Sequence, residues 1–139
     1  MKNKTCLTWQ AQIFCGLRVG YAEEILSIEK VYRICQEYVD EIGWCVTVTP
    51  TMFIYKNGHE PGVIIGIIQY PRFLSSHDVL RERTIELAKQ LLTELKQLRV
   101  SIAFPKITIM LEKKNLNTLN FYQIGMSMVN QQALGEISK

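Results

Sequence analysis

The densest group of side chains able to do chemistry lies in FIYKNGHEPGVIIGIIQYPRF, residues 53–73, where Asn57-Gly58, His59, Glu60 and Pro61-Gly62 separate two strongly apolar runs. Glu60 is the carboxylate to follow first. Pro61 restricts it to extended backbone and Gly62 relaxes the chain beyond, so the side chain is held in a defined direction between aromatic-ended strands. The competing reading is a loop solubiliser. Tyr55 and Tyr70 close the two runs, where they offer a stacking surface or simply pack across the strands. Arg18, Tyr21 and Arg72 stand at strand ends beside turns, where ligand contacts concentrate. His59 and His77 read as a turn residue and a first-helical-turn residue. The chain holds no Ser-His-Asp order, no H-E-x-x-H, no phosphate-cradling glycine loop and no dinucleotide fingerprint.

Composition narrows the field further. A chain of 139 residues, 47% of them hydrophobic, can bury one sizeable core. Its net charge of +3 is scattered, with no run of like charges, so nucleic acid is not called for. No apolar run approaches the roughly 18 residues that span a bilayer. Met1-Lys2-Asn3-Lys4 leads into mixed residues rather than a signal-peptide stretch, which predicts a soluble, cytoplasmic protein. Cys6, Cys15, Cys35 and Cys45 form no C-x-x-C pair and have no histidine at ligand spacing, so neither zinc nor another cofactor is expected. Cys15 and Cys35 fall in apolar patterns and read as small buried hydrophobes, whereas Cys6 is the thiol expected to be exposed.

The elements that must position these residues follow from hydrophobic periodicity. Residues 9–19 alternate, with Trp9, Ala11, Ile13, Cys15, Leu17 and Val19 on one face, which predicts a strand. Ser27 caps a helix that Gly43 stops, with Ile28, Val31, Tyr32, Cys35, Tyr38, Val39 and Ile42 at helical spacing. WCVTVTPTMFIY alternates again and carries Pro50, which predicts a bulged or edge strand. A hinge over 56–62 then leads into a central strand, Val63 to Tyr70. Ser75 and Asp78 are spaced like a capping box for a second helix running to about Leu98. RVSIAF and ITIMLE, separated by Pro105-Lys106, form either one interrupted strand or a tight hairpin.

The resulting order, β-α-β-β-α-β, predicts an α+β, ferredoxin-like sandwich over residues 1–114: a four-stranded antiparallel sheet with two helices on one face. Residues 115–139 form a tail, read as a weak helix, an oligomer clasp or disordered. If Val46 and Val48 face the helices, the opposite sheet face carries Thr47, Thr49, Thr51, Phe53 and Tyr55, and is apolar enough to predict association through it.

This order, the length and the placement of YKNGHEPG between strands two and three resemble the PII-like group of trimeric ferredoxin-like proteins, over residues 9–112. The group implies a homotrimer whose ligands of adenine-nucleotide type bind between subunits near that loop; none of its nucleotide-binding residue patterns is present. VTVTPTMFIYKNGHEPG, a hydroxyl- and aromatic-bearing strand running to an acidic turn, is similar in plan to the bacteriophage enzymes that degrade S-adenosylmethionine. That resemblance implies a lyase forming methylthioadenosine and homoserine lactone by intramolecular displacement. Glu60 would contact the cationic part of the substrate, Tyr55 would position the adenosine or sulfonium region, and Thr49 and Thr51 would hydrogen-bond it. Two other functions remain open at this point: a PII-like trimer that binds a nucleotide-like ligand without consuming it, and a protein-interaction module.

Overall fold

Alternation decides the first strand. Trp9, Ala11, Ile13, Cys15 and Leu17 are all buried, while Gln10 and Gln12 point away, and β1 spans Gln10–Gly16. The computed structural model describes residues 1–113 and the backbone of 121–122. Within them β1 is followed by α1 (Ile28–Ile42), β2 (Thr47–Tyr55), β3 (Gly58–Ile68), α2 (His77–Glu94), β4 (Arg99–Ala103), β5 (Thr108–Lys113) and the two-residue β6 (Phe121–Tyr122). All pairings are antiparallel, in the order β2-β3-β1-β4-β5-β6.

The first four strands in that order reproduce the split β-α-β plan, but the sheet has five strands and the short sixth rather than four. The reason is local. Pro105-Lys106 reverses the chain, the Phe104 amide donates to the Ile107 carbonyl at 2.8 Å, and β5 folds back on β4 with Ile102 opposite Ile109. Of the segment 115–139, only the backbone of Phe121 and Tyr122 is described, paired with Lys113 and Glu112; the expectations for the rest lie outside the described residues.

One sheet face carries the core. Ile13, Cys15, Val63, Ile65, Ile67, Ile102, Ile109 and Leu111 meet Val31, Ile34 and Cys35 of α1 and Leu80, Leu87, Leu91 and Leu92 of α2. Each fully buried Leu or Ile contributes about 1.5–3 kcal/mol relative to exposure. Val46 and Val48 pack against this core, so the helices cover the expected face. Ser27 Oγ accepts from the Glu29 amide and Gly43 closes α1 in the left-handed region at φ 69°. Tyr32, placed on the apolar side by spacing, is in fact exposed.

α2 departs from expectation at both ends. Its N-cap is Ser76, whose hydroxyl accepts from Val79, while Ser75 instead donates its amide to Gln69 Oε1. At the other end the helix stops at Glu94, and Lys96 turns the chain with φ 53°. Gln97 and Leu98 therefore leave the helix and enter the turn before β4.

The β2–β3 hairpin is also tighter than the predicted hinge. Asn57 adopts φ 63°, Tyr55 pairs with Gly58, and the loop is only Lys56-Asn57. His59, Glu60, Pro61 and Gly62 consequently belong to β3. Pro50 is accommodated because β2 is the edge of the sheet. No helix among the described residues is long and apolar enough to cross a membrane.

Candidate functional site

Pro61 shapes the place where the predicted residues meet. Its carbonyl accepts from Leu17 at 3.1 Å, but it has no N–H to return; the Leu17 carbonyl takes the Leu26 amide instead, at 2.8 Å. Regular pairing of β1 with β3 ends at Gly16–Gly62, and the chain diverges through Arg18, Gly20 and Tyr21. A cleft of about 300 Å³ opens there, lined by Gly16, Arg18, Gly20, Tyr21, Tyr55, Glu60, Gln97, Leu98 and Arg99.

The floor is built on the sheet face that the helices leave open. Glu60 opposes Phe53, and Phe53 leans over Gly62, where a Cβ would collide with its ring and lie 2.7 Å from the Cys15 carbonyl. Gly16 does the same for the cleft itself: a Cβ there would lie 3.0 Å from Gln97 Oε1 and 3.7 Å from Glu60 Oε2. Two bare backbone positions thus let an aromatic ring, a carboxylate and a carboxamide crowd onto one end of the sheet.

Charges in the cleft are paired. Arg18 Nε lies 3.5 Å from Glu60 Oε2, both side chains about 30% exposed, and this half-open pair is worth no more than about 1 kcal/mol. Arg99 Nε donates to Glu112 Oε1 at 3.0 Å. Hydrogen bonds to Tyr21 and then to Glu112 push the Arg99 guanidinium further above its ordinary value. Gln97 is only 7% exposed; its Nε2 donates to the Arg18 carbonyl at 2.6 Å and the Leu95 carbonyl at 2.9 Å.

Glu60, Tyr55, Arg18 and Tyr21 are therefore brought together from two separate stretches of chain, the segment after β1 and the β2–β3 hairpin. Thr49 and Thr51 lie on the same open face farther along β2, opposite Ile64 and Gly62. Tyr70 and Arg72 are not brought to the cleft. Because β2 and β3 are antiparallel, Tyr55 neighbours the start of β3, whereas Tyr70 lies past its end, roughly 30 Å of extended chain from Glu60. Tyr70 sits instead beside Cys45, whose Sγ is 3.5 Å from its hydroxyl, so the two tyrosines share no stacking surface. Arg72 stacks its guanidinium 5.1 Å from the Phe73 ring centroid at that far end. Gln97, Leu98 and Arg99 complete the cleft and were missed, since a helix drawn to Leu98 places Gln97 on a helical turn; among them only Arg99, at a strand start, carries a sequence signal.

The same backbone plan occurs in solved structures. The fold is shared with phage SAM lyases. A phage SAM lyase in complex with S-methyl-5'-thioadenosine aligns with a TM-score of 0.56 over 88% of this chain and 92% of its own, at 21% identity. A phage SAM lyase in the apo state gives 0.55 over 82% and 86%, at 19% identity. No protein-family model and no curated protein sequence matches the chain.

Proposed function

We propose that this protein cleaves S-adenosylmethionine to methylthioadenosine and homoserine lactone. The observation that carries the reading is the convergence of Glu60, Tyr55, Arg18 and Tyr21 on one cleft at the open end of a sheet shared with phage SAM lyases, one of them holding the corresponding nucleoside product.

The reaction suits residues of this kind. The substrate's own carboxylate oxygen attacks Cγ, the Cγ–S bond breaks, and its electron pair returns to sulfur, turning the sulfonium into a thioether. No proton is moved, so no histidine or general base is needed. What the protein supplies is a folded substrate, and holding the carboxylate near Cγ lowers the barrier by several kcal/mol, on the order of the 7–11 kcal/mol seen for well-oriented intramolecular reactions. Tyr55 stands at the cleft mouth to stack on or orient the adenosine, and Glu60 offers negative charge to the cationic amino-acid portion. Thr49 and Thr51 extend hydroxyls along the same face.

The open face also supports a homotrimer as the working form. Phe14, Phe53, Ile64 and Met110 are only half-buried there and Ile68 is 40% exposed, so further copies of the chain would cover apolar surface beside the cleft. A phosphate-bearing ligand is favoured less, because both cleft guanidiniums, Arg18 and Arg99, already face carboxylates.

Product analysis in H₂¹⁸O tests the chemistry. Displacement by the carboxylate gives methylthioadenosine and a lactone whose ring oxygen carries no label, whereas attack of water on Cγ gives homoserine labelled in its hydroxyl. The labelled hydroxyl, or no consumption at all with enzyme equimolar to substrate, would overturn the proposal.

A further inference from the structure

Gln97 is largely buried, with one half of its carboxamide fixed and the other half open to the cleft. Its Nε2 donates to two carbonyls, Arg18 and Leu95, an arrangement only the NH₂ group can make, so Oε1 is forced toward the cleft. No hydrogen bond among the described residues is donated to that Oε1, and the atom keeps access to the cleft although the residue as a whole is only 7% exposed. It sits over Gly16, 3.0 Å from the position a Cβ would take, and Glu60 Oε2 lies 3.7 Å from the same point. An amide oxygen and a carboxylate thus converge on one bare backbone position, and both are acceptors.

Resting on the lyase reading, we infer that Gln97 Oε1 and Glu60 together hold the α-ammonium group of the substrate, which makes Gln97 a substrate-binding residue. An ammonium has three N–H donors and one positive charge, which matches one carboxylate and one neutral acceptor. The course of the reaction favours the same assignment. The sulfonium charge disappears in the transition state, so a carboxylate placed against sulfur stabilises the ground state more and slows the step. The ammonium charge persists unchanged into the lactone, so binding it orients the substrate without that penalty. Holding the ammonium also leaves the α-carboxylate free to attack, and the Arg18–Glu60 pair keeps the nearer guanidinium from tying it down.

The ligand series that tests this uses compounds without a sulfonium, which cannot be cleaved: S-adenosylhomocysteine, its desamino analogue and methylthioadenosine, titrated calorimetrically into the full chain. The wild-type protein binds S-adenosylhomocysteine roughly 10- to 100-fold more tightly than the desamino analogue, the range for one or two hydrogen bonds to a charged group. Gln97→Met removes most of that difference and leaves methylthioadenosine affinity unchanged. Equal affinity of the wild type for S-adenosylhomocysteine and the desamino analogue would overturn the inference, whether or not the variant folds. A parallel loss of methylthioadenosine affinity in Gln97→Met would also overturn it, by placing Gln97 against the nucleoside or in a structural role. If none of the three compounds binds, the lyase reading and this inference fail together; cleavage of S-adenosylmethionine with no ammonium preference sinks this inference alone.

Discussion

Gly16→Ala separates stability from ligand binding at the floor of the cleft. Gly16 lies in β1 outside the left-handed region, so alanine meets no backbone strain, and the unfolded chain loses freedom worth about 0.4–1 kcal/mol in favour of the variant. Against this stands one close contact. The new methyl lies 3.0 Å from Gln97 Oε1, a few tenths of an ångström too near, and the carboxamide is tied by two hydrogen bonds and must shift slightly. The two effects nearly cancel, leaving stability within about 1 kcal/mol and the melting temperature within about 5 °C of wild type. Binding changes far more. The methyl fills the space between Gln97 Oε1 and Glu60 Oε2, and loss of a hydrogen bond to a charged group, about 1.5–3 kcal/mol, lowers S-adenosylhomocysteine affinity roughly 10- to 100-fold. Thermal melting and calorimetric titration of one preparation read both quantities. Wild-type affinity in the variant would refute the placement of the ligand over Gly16, and a melting point more than about 10 °C lower would refute the packing argument.

Other expectations concern the framework. Leu91, fully buried beneath the sheet, costs about 2–5 kcal/mol when truncated to alanine, read as a lower urea midpoint at unchanged slope. Burial pushes the Cys15 thiol up to about 12 and the Cys35 thiol up to about 11, so in the native protein near pH 8 both stay protonated and resist alkylation. Exposed Cys45 reacts first, ahead of Cys6, which contrary to expectation is only half-exposed with its Sγ 3.8 Å from the Gln69 carbonyl, and peptide mass spectrometry distinguishes the sites. Sedimentation of the protein at micromolar concentration gives a trimer mass; a monomer counts against a site shared between subunits.

Much of this framework is legible from periodicity. The alternation of Trp9 to Leu17, the Ser27 and Gly43 caps and the uncharged run from Val63 to Ile68 each point to one element, because a large buried face leaves each pattern a single register. Legibility fails where one residue's partner lies far away in sequence. Pro61-Gly62 reads as turn chemistry, yet it continues a strand because it pairs with Met52 and Thr51 of β2, while Leu26 gives the Leu17 carbonyl the hydrogen bond that Pro61 cannot. The helical spacing of Leu91, Leu95 and Leu98 conceals the turn at Lys96, a residue with no turn signature, and with it Gln97. In the candidate cleft, Glu60, Tyr55, Arg18 and Tyr21 carry a sequence signal as strand-end residues near a hairpin. Tyr70 and Arg72 share that local signature but belong to the other end of the sheet, since antiparallel pairing sends the two ends of β3 in opposite directions.

Methylthioadenosine release by wild type and Glu60→Gln, measured side by side with their melting curves, tests most directly the proposed cleavage of S-adenosylmethionine in the Glu60 cleft. The amide removes a negative charge but little packing, and the Arg18 pair it breaks is worth no more than about 1 kcal/mol. Wild-type protein is therefore expected to release methylthioadenosine, with kcat/KM falling roughly 10- to 100-fold in the variant at a nearly unchanged melting temperature. Equal release by both proteins, or release by neither, would contradict the account.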